Sequence, residues 1–419
     1  MAELKISVNR LQLGNYVKLP VNWGNHPFLF SNFKIKSQDQ IDVIRNLGLK
    51  HVTIVPEKSD NLPLAANTPI SVLSHEEEDA VLALQKQLWQ DKQDRIEELK
   101  NYRRQLQKCE KEFTKSMSQV RSVMGKILSR PLNAINDAVE LIETMAESLM
   151  NAENTVLHLM GESKETEALY YHSLNVSVLS MMLGKASGCT LEEIKMLGLG
   201  SLFHDIGTIK LPSKIVRRAT PLTNAEENLY KMHCKYAIDL LKLVEDFPEQ
   251  AKTIILQHHE CADGSGYPAG LKLNEINELA QIVAVVNRYD NICHPTNIKH
   301  AKIPYQALSI LFKQQAKLFN KDYLGRLIKL LGIYPPGSVV QLSNGQVGMV
   351  MSVASDRLLF PKVLVFDPAV PRTEAPIIDL EEAELTIEKV IKPQSLPPSV
   401  HEYLNPRVRT SYYFEHDKK

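Results

Sequence analysis

From His75 to Val123 the chain runs without a glycine or a proline. That stretch is rich in Leu, Glu, Lys, Gln and Arg, which favour helices, and it lacks the two residues that break them, so one long α-helix is its regular solution. Such a helix must bury a stripe. Leu99, Leu106, Phe113 and Val120 recur every seven residues, Tyr102, Cys109 and Val123 take the companion positions, and Ser116 interrupts the series. A seam of about three to four heptads serves a parallel coiled-coil homodimer through residues 99–123. It serves an intramolecular helical hairpin packed on its own domain equally well. The charged residues between the apolar ones read as solvated faces.

This arm divides the chain. Residues 1–70 hold short runs such as KISVNRLQLGNYVKLP and HVTIVPEK, bounded by Pro, Gly and Asn, which predict a small α/β or β-rich N-terminal accessory module. Residues 75–129 form the helical arm. Residues 130–335 read as almost all helix, with capping boxes predicted at Thr190/Glu193 and Thr223/Glu226 and interruptions at Gly264, Gly266, Pro268 and Pro295. Residues 336–419 turn strand-like. Asn344-Gly345 separates two alternating runs as a hairpin turn, PKVLVFDP is a third strand, and the Pro-rich stretch from Ile391 wraps the surface or frays. The predicted class is mainly α, with a β-rich C-terminal extension.

Composition excludes several functions. Lys+Arg and Asp+Glu balance at 49 each, so no basic field points to a nucleic-acid polymer. No run approaches the roughly 18 apolar residues of a membrane span, and MAELKISVNRLQLGNYVKLP has no apolar core of a secretory signal. The five cysteines are scattered, without CxxC spacing, and predict reduced thiols in a cytoplasmic protein.

The histidines carry the chemistry. Five of thirteen fall between 172 and 259, namely His172, His204, His233, His258 and His259, and apart from the last pair each lies on a different predicted helix or helix end. One histidine on an apolar face is an ordinary core residue. Several buried without partners would each cost a few kcal/mol, roughly, and a shared metal would satisfy them together. Imidazoles with carboxylates and no thiolate suit Fe, Mn, Zn or Ni. In LFHDIGTIKLP, Asp205 follows His204, and one aspartate can bridge two ions. Two ions roughly 3.5–4 Å apart suit in-line attack on a phosphodiester. In HHECADGSGYP, neighbours on a helix point about 100° apart. His258 and His259 therefore reach one cavity only near a helix end, which Gly264 and Gly266 supply.

These strings resemble the signature of the HD-GYP phosphodiesterases, in which HD is followed by HHExxDGxGYP. His204-Asp205, then His258-His259-Glu260, Asp263-Gly264 and Gly266-Tyr267-Pro268 match it without a gap. The resemblance covers roughly residues 130–335. The N-terminal module, through LQLGNYVKLP, also resembles an accessory domain of unknown function that precedes HD-GYP domains in some bacterial proteins. The resemblance implies an all-helical, metal-dependent phosphohydrolase core and a cytoplasmic bacterial enzyme that hydrolyses cyclic di-GMP to its linear product or to GMP. Hydrolysis of a mixed cyclic GMP-AMP is a variant of this activity. The implied ligands are His172, His204, Asp205 as the bridge, His233, His258 and His259, with His204 and Asp205 catalytic and iron or manganese bound. The Gly266-Tyr267-Pro268 loop is implied in contacts with a signalling partner. Glu260, Asp263, Gly264 and Asp290 would support the site.

The chain departs from the family pattern. Thr208 stands where HD-I-G-K has its lysine, and Lys210 lies two residues further on. Asn287 occupies the place of a late aspartate ligand, with Asp290 keeping the second aspartate of that string. Ala168 replaces a glutamate of trinuclear members, so at most a binuclear centre is expected. The R-P-Y-R stretch is missing. A catalytically weak sensor or adaptor is the alternative that these departures keep open.

Overall fold

A computed structural model describes the chain apart from residues 1–2, 29, 67–73, 153–156, 161–166, 218–220, 243, 245, 354–357, 369, 371, 373–374, 407–410 and 415–419, and apart from the side chains of 95, 98, 99, 102, 157–160, 298 and 411. The chain forms two units, Met1–Arg104 with Phe366–Pro376, and Gln105–Val365 with Ile377–Lys419.

The first unit is the α/β module that its sequence predicts. Strands β1 (Leu4–Ser7), β2 (Tyr16–Lys18) and β3 (Asn32–Lys34) precede helix α1 (Gln38–Asn46) and strand β4 (His51–Ile54). They form an antiparallel sheet in the order β1-β4-β2-β3. Ser37 caps α1 by accepting from Gln40 N–H. The core is Ile6, Leu11, Val17, Ile35, Ile41, Ile44 and Ile54, with Val81, Leu84 and Leu88 packed on it.

Those last three belong to helix α2 (His75–Lys126), the predicted long helix, 52 residues without a break. Ser74 and Glu77 start it reciprocally, Ser74 N–H donating to the Glu77 carboxylate and Glu77 N–H to the Ser74 hydroxyl. The boundary between the two units falls inside α2. Of the heptad residues, Cys109, Phe113, Val120 and Val123 are buried in the core of their own unit and Leu106 is packed against it. The Phe113 ring lies 5.9 Å from those of Tyr171 and Tyr413, and even Ser116, which interrupts the series, is used, its hydroxyl 2.9 Å from that of Tyr413. These positions are therefore packed within their own chain. The side chains of Leu99 and Tyr102 lie outside the described residues.

The second unit is mainly helical. After α3 (Pro131–Asn151) and strand β5 (Leu157–Met160) come α4 (Ala168–Ala186), α5 (Leu191–Phe203), α6 (Ser213–Val216), α7 (Asn224–Lys231), α8 (His233–Leu241), α9 (Glu249–Gln257), α10 (Glu278–Cys293), α11 (Pro304–Gln314) and α12 (Lys321–Leu331). Both predicted capping boxes form, at the starts of α5 and α7. Every residue of α4 from Ser173 to Gly184 is buried, as are Leu197–Phe203 of α5. Helices apolar all round belong at the centre of a domain, and α10, also largely buried, joins them there.

The chain closes with strands β6 (Val339–Leu342), β7 (Val347–Val353), β8 (Lys362–Val365), β9 (Ile377–Asp379) and β10 (Ile387–Ile391), helix α13 (Pro398–Leu404) and strand β11 (Ser411–Phe414). The Asn344-Gly345 turn joins β6 to β7 as predicted. Two features differ from the sequence reading. β5, inside the stretch read as helix, pairs with β7 and β11, giving the sheet order β10-β6-β7-β5-β11 with β8 and β9 branching from β7. The C-terminal stretch does not merely wrap the surface, because Tyr412, Tyr413 and Phe414 are buried in the helical core. Three consecutive large aromatics have too much apolar area to leave in water.

Because Phe113 is a core residue of its own chain, Phe113→Ala is expected to lower stability by about 3–5 kcal/mol. Leu106→Glu with Phe113→Glu should likewise unfold the unit at lower urea concentration. Light scattering on the folded fraction should give the wild-type molecular mass.

Candidate metal centre

The five histidines and Asp205 converge. His204 is the residue that ends α5, and Asp205 follows it and opens the short turn Ile206–Lys210. His233 is the first residue of α8, directly after the end of α7. His258 ends α9 and His259 comes next, so the adjacent pair does sit at a helix end. His172 projects from the second turn of α4. Two groups with ligand atoms all within 4.8 Å of one another result, Asp205-His233-His258-His259 and His172-His204-Asp205, sharing Asp205.

Hydrogen bonds fix which ring nitrogen faces inward. His204 Nδ1 lies 2.6 Å from the Ser201 carbonyl, His233 Nδ1 2.7 Å from Tyr230 O, and His258 Nδ1 2.7 Å from Ile255 O. A carbonyl only accepts, so each Nδ1 is the donor, and Nε2 is the nitrogen turned toward the cavity. His172 is held by a carboxylate instead, its Nδ1 2.6 Å from Asp290 Oδ2. The Nε2 atoms then meet in pairs, His172 with His204 at 3.1 Å and His233 with His258 at 3.4 Å. Lone pairs facing one another at such distances repel unless a cation or a proton lies between.

Asp205 spans the two groups. Its Oδ1 is 3.3 Å from His233 Nε2 and 3.8 Å from His258 Nε2, and its Oδ2 is 3.6 Å from His204 Nε2 and 3.8 Å from His172 Nε2. Oδ1 is buried and has no hydrogen-bond partner. An anionic oxygen left without a hydrogen-bond donor is costly in a protein interior. The donor set is nitrogen and oxygen only, and it fits a divalent transition metal.

The surroundings hold this arrangement in place. A Cβ on Gly207 would collide with the His233 carbonyl, so only glycine lets the turn after Asp205 pack on α8. Thr208, at the place of the family lysine, donates its hydroxyl to the Asp205 carbonyl at 2.7 Å, and Lys210 is exposed. Glu260 is buried and clamps the glycine-rich loop, accepting from Ala269 N–H at 2.7 Å and Leu271 N–H at 2.9 Å. Asp263 closes a local turn with Ser265, and its neighbour Gly264 takes a positive φ of 82°. A Cβ on Gly266 would strike the backbone of Glu260 and Cys261. Tyr267, joined to Pro268 by a cis bond, stacks on His259 with centroids 4.5 Å apart, and Lys231 Nζ lies 5.6 Å from the same ring.

Asn287 and Asp290 share α10. Asn287 is buried, and its Oδ1 accepts from Asn291 at 2.6 Å. Asp290 accepts from His172, from Asn175 Nδ2 and from His294 Nδ1 at 3.0 Å. His294, Asn175 and Lys231 escaped the sequence reading. Only His294 left a local signal there, one helical turn after Asp290.

Burial pushes His204 down to about 4, against the pull of Asp205. His258 and His259 are lowered by burial and then by their histidine neighbours, which resist a second positive charge. Burial would raise the carboxyl of Asp205, but the surrounding histidines outweigh it and hold it anionic. Burial lowers His172, and Asp290, together with Asp205 and Asn287, more than reverses that. A sign follows for the metal-free protein. The unfolded chain takes up protons near pH 6.5 while folded His204 stays neutral until about 4. Stability therefore falls as pH drops from 6.5 toward 4. His204 alone should remove about 2 kcal/mol between pH 7 and 5, with His258 and His259 adding in the same direction. His172, whose folded value is raised, acts only above pH 6.5. Urea melts of metal-free protein at pH 7 and 5 measure this, and equal midpoints would contradict it.

Comparison with known proteins agrees with this geometry. A model of a domain of unknown function, DUF3391, matches residues 3–138, and a model of the HD domain matches residues 147–322. The chain is 27% identical over 393 residues to a cyclic di-GMP phosphodiesterase of Pseudomonas aeruginosa, covering 91% of this chain and 90% of that protein. It is 28% identical over 204 residues to a cyclic di-GMP phosphodiesterase response regulator of Xanthomonas campestris, covering 45% of this chain and 54% of that protein. It is 28% identical over 198 residues to a 3'3'-cGAMP-specific phosphodiesterase of Vibrio cholerae, covering 47% and 36%. The chain thus carries an HD domain preceded by a DUF3391 domain, and its His-Asp pair, double histidine and Gly-Tyr-Pro loop, the strings of the HD-GYP signature, gather at one centre.

Proposed function

We propose that the chain is a metal-dependent phosphodiesterase that hydrolyses cyclic di-GMP to linear pGpG or GMP, in the cytoplasm, as part of bacterial second-messenger signalling. The observation that carries this reading is the Asp205 carboxylate, which turns one oxygen to each histidine group and leaves Oδ1 without a donor. His172, His204 and Asp205 would hold one ion, and Asp205, His233, His258 and His259 the other, with Asn287 contributing its neutral carbonyl oxygen. Iron or manganese suits this set of nitrogen and oxygen donors. When bound, two such ions supply an activated water and neutralise charge on a phosphodiester. The chain's own part is to keep His204, His258 and His259 neutral, keep Asp205 anionic and keep the side chains in place. Tyr267 covers His259 from outside, and the Gly266-Tyr267-Pro268 loop beside it is the surface offered to a signalling partner. The relatives named above act on cyclic di-GMP or on 3'3'-cGAMP, which supports a cyclic dinucleotide as the substrate class.

A second reading is a catalytically weak sensor or adaptor. Two observations favour it. The Thr208 hydroxyl is spent on the Asp205 carbonyl, and Asn287 gives its oxygen to Asn291.

One experiment separates the readings. Protein purified without oxygen should carry about two transition-metal ions per chain and should cleave cyclic di-GMP faster than 3'3'-cGAMP. Two bound ions without cleavage of either would favour the adaptor. Metal-free protein that cleaves normally would overturn the proposal. Asp205→Asn should cost more activity than His172→Ala, about a hundredfold or more, with circular dichroism unchanged.

Asn287→Asp should tighten one ion and raise activity at low metal concentration, because a carboxylate adds charge to the bond that an amide lacks. Manganese titrations of both proteins test it. Identical affinities would remove Asn287 from the ligand set.

A further inference from the structure

We propose that the C-terminal strand β11 belongs to the device that positions His172, so that the last described residues of the chain set metal affinity on the His172 side of the centre. The proposal rests on the two-metal reading above. Its observations are separate from that reading, and β11 lies outside the matched HD domain.

A single buried line of hydrogen bonds connects the two. Tyr412 N–H donates to Asn175 Oδ1 at 2.9 Å. Asn175 Nδ2 donates to Asp290 Oδ1. Asp290 Oδ2 meets His172 Nδ1 at 2.6 Å. Tyr412 and Asp290 are fully buried and Asn175 is 2% exposed. The links between Tyr412, Asn175 and Asp290 are therefore shielded from water.

Each link is directional. β11 ends the sheet, pairing with β5 on one side, and an edge strand carries N–H groups that need partners. Asn175 supplies one from the facing helix α4. A side-chain amide has a donor end and an acceptor end. With Oδ1 taken by Tyr412, the NH₂ must face Asp290. Turned round, the Asn175 oxygen would confront the Asp290 carboxylate. With its Oδ1 occupied by Asn175 and His294, Asp290 has Oδ2 left for His172. That bond fixes the ring and turns Nε2 toward His204 and Asp205.

The strand is anchored at both ends of this line. The Tyr412 hydroxyl lies 3.0 Å from that of Tyr289, on α10 next to Asp290, and Tyr413 and Phe414 are core residues. Asn175 and Tyr412 are thus positioning residues. Neither is in the ligand groups, and both act through Asp290.

The test uses the full chain and Mn²⁺ alone. Wild type should bind two ions. Asn175→Ala should bind one as wild type does and the other about tenfold more weakly, the low end of what outer partners of metal ligands contribute. Asn175→Asp, which still accepts from Tyr412 but cannot donate to Asp290, should weaken the same ion further. Tyr412→Phe keeps the N–H and should bind both ions normally. Coupling is reciprocal, so metal loading of the wild type should slow hydrogen exchange at the Tyr412 amide. That last measurement needs no variant and decides the matter if the Asn175 substitutions fail to fold. Unchanged affinities in folded Asn175→Ala, or Tyr412 exchange indifferent to metal, would overturn the proposal. A wild type that binds no ion would overturn the two-metal reading instead.

Discussion

The site depends on a hydrogen bond that three histidines make in the same way. His204, His233 and His258 stand at or just beyond the ends of α5, α7 and α9, and each gives its Nδ1 proton to the carbonyl three residues earlier. The carbonyls of a helix's last turn have no N–H of their own helix to accept from. A histidine placed there satisfies one of them and, because the ring is rigid, aims its Nε2 away from the helix end. Three helix ends aimed at one point make most of a metal site with no further device.

His172 cannot use this arrangement. It sits near the start of α4, where the carbonyls are already engaged in the helix, so its orientation has to come from another element. Asp290 on α10 provides it, and a fully buried carboxylate is tolerable only when its lone pairs are filled. His172, Asn175 and His294 fill them. Asp205 is the opposite case, since its Oδ1 is buried and left open. The same residue type thus does two jobs in one cavity. The saturated aspartate orients a neighbour, and the unsaturated one waits for positive charge.

The sequence made the chemistry legible and left much of its support hidden. Helix ends at Thr190, Thr223 and His258 could be read because capping and glycine punctuation are local, settled within a few residues. The cluster of histidines could be read because five imidazoles crowded into one apolar region cannot all be satisfied as ordinary core residues. The heptads from Leu106 to Val123 were ambiguous for a physical reason. A repeat shows that a helix buries a stripe, but it does not show what covers the stripe. Here the cover is the helical core, with Tyr413 from the far end of the chain against Phe113. The burial of Tyr412, Tyr413 and Phe414 in a polar, Pro-rich tail was hidden likewise, because what buries them lies far away in the sequence.

The two halves of the centre therefore differ in what they rest on. His233 and His258 are oriented by carbonyls in their own short segments, so their geometry survives as long as α7, α8 and α9 are formed. His172 is oriented by a line that leaves α4, crosses to α10, returns to α4 and ends on β11, joining residues 118 and 237 positions apart in sequence. Bonds of that span form only when the whole second unit is folded. Asp205, shared between the halves, ties the self-sufficient group to the dependent one. A disturbance anywhere along the line to β11 then reaches the cluster on one side, through His172, while His233 and His258 stay where their helix ends hold them.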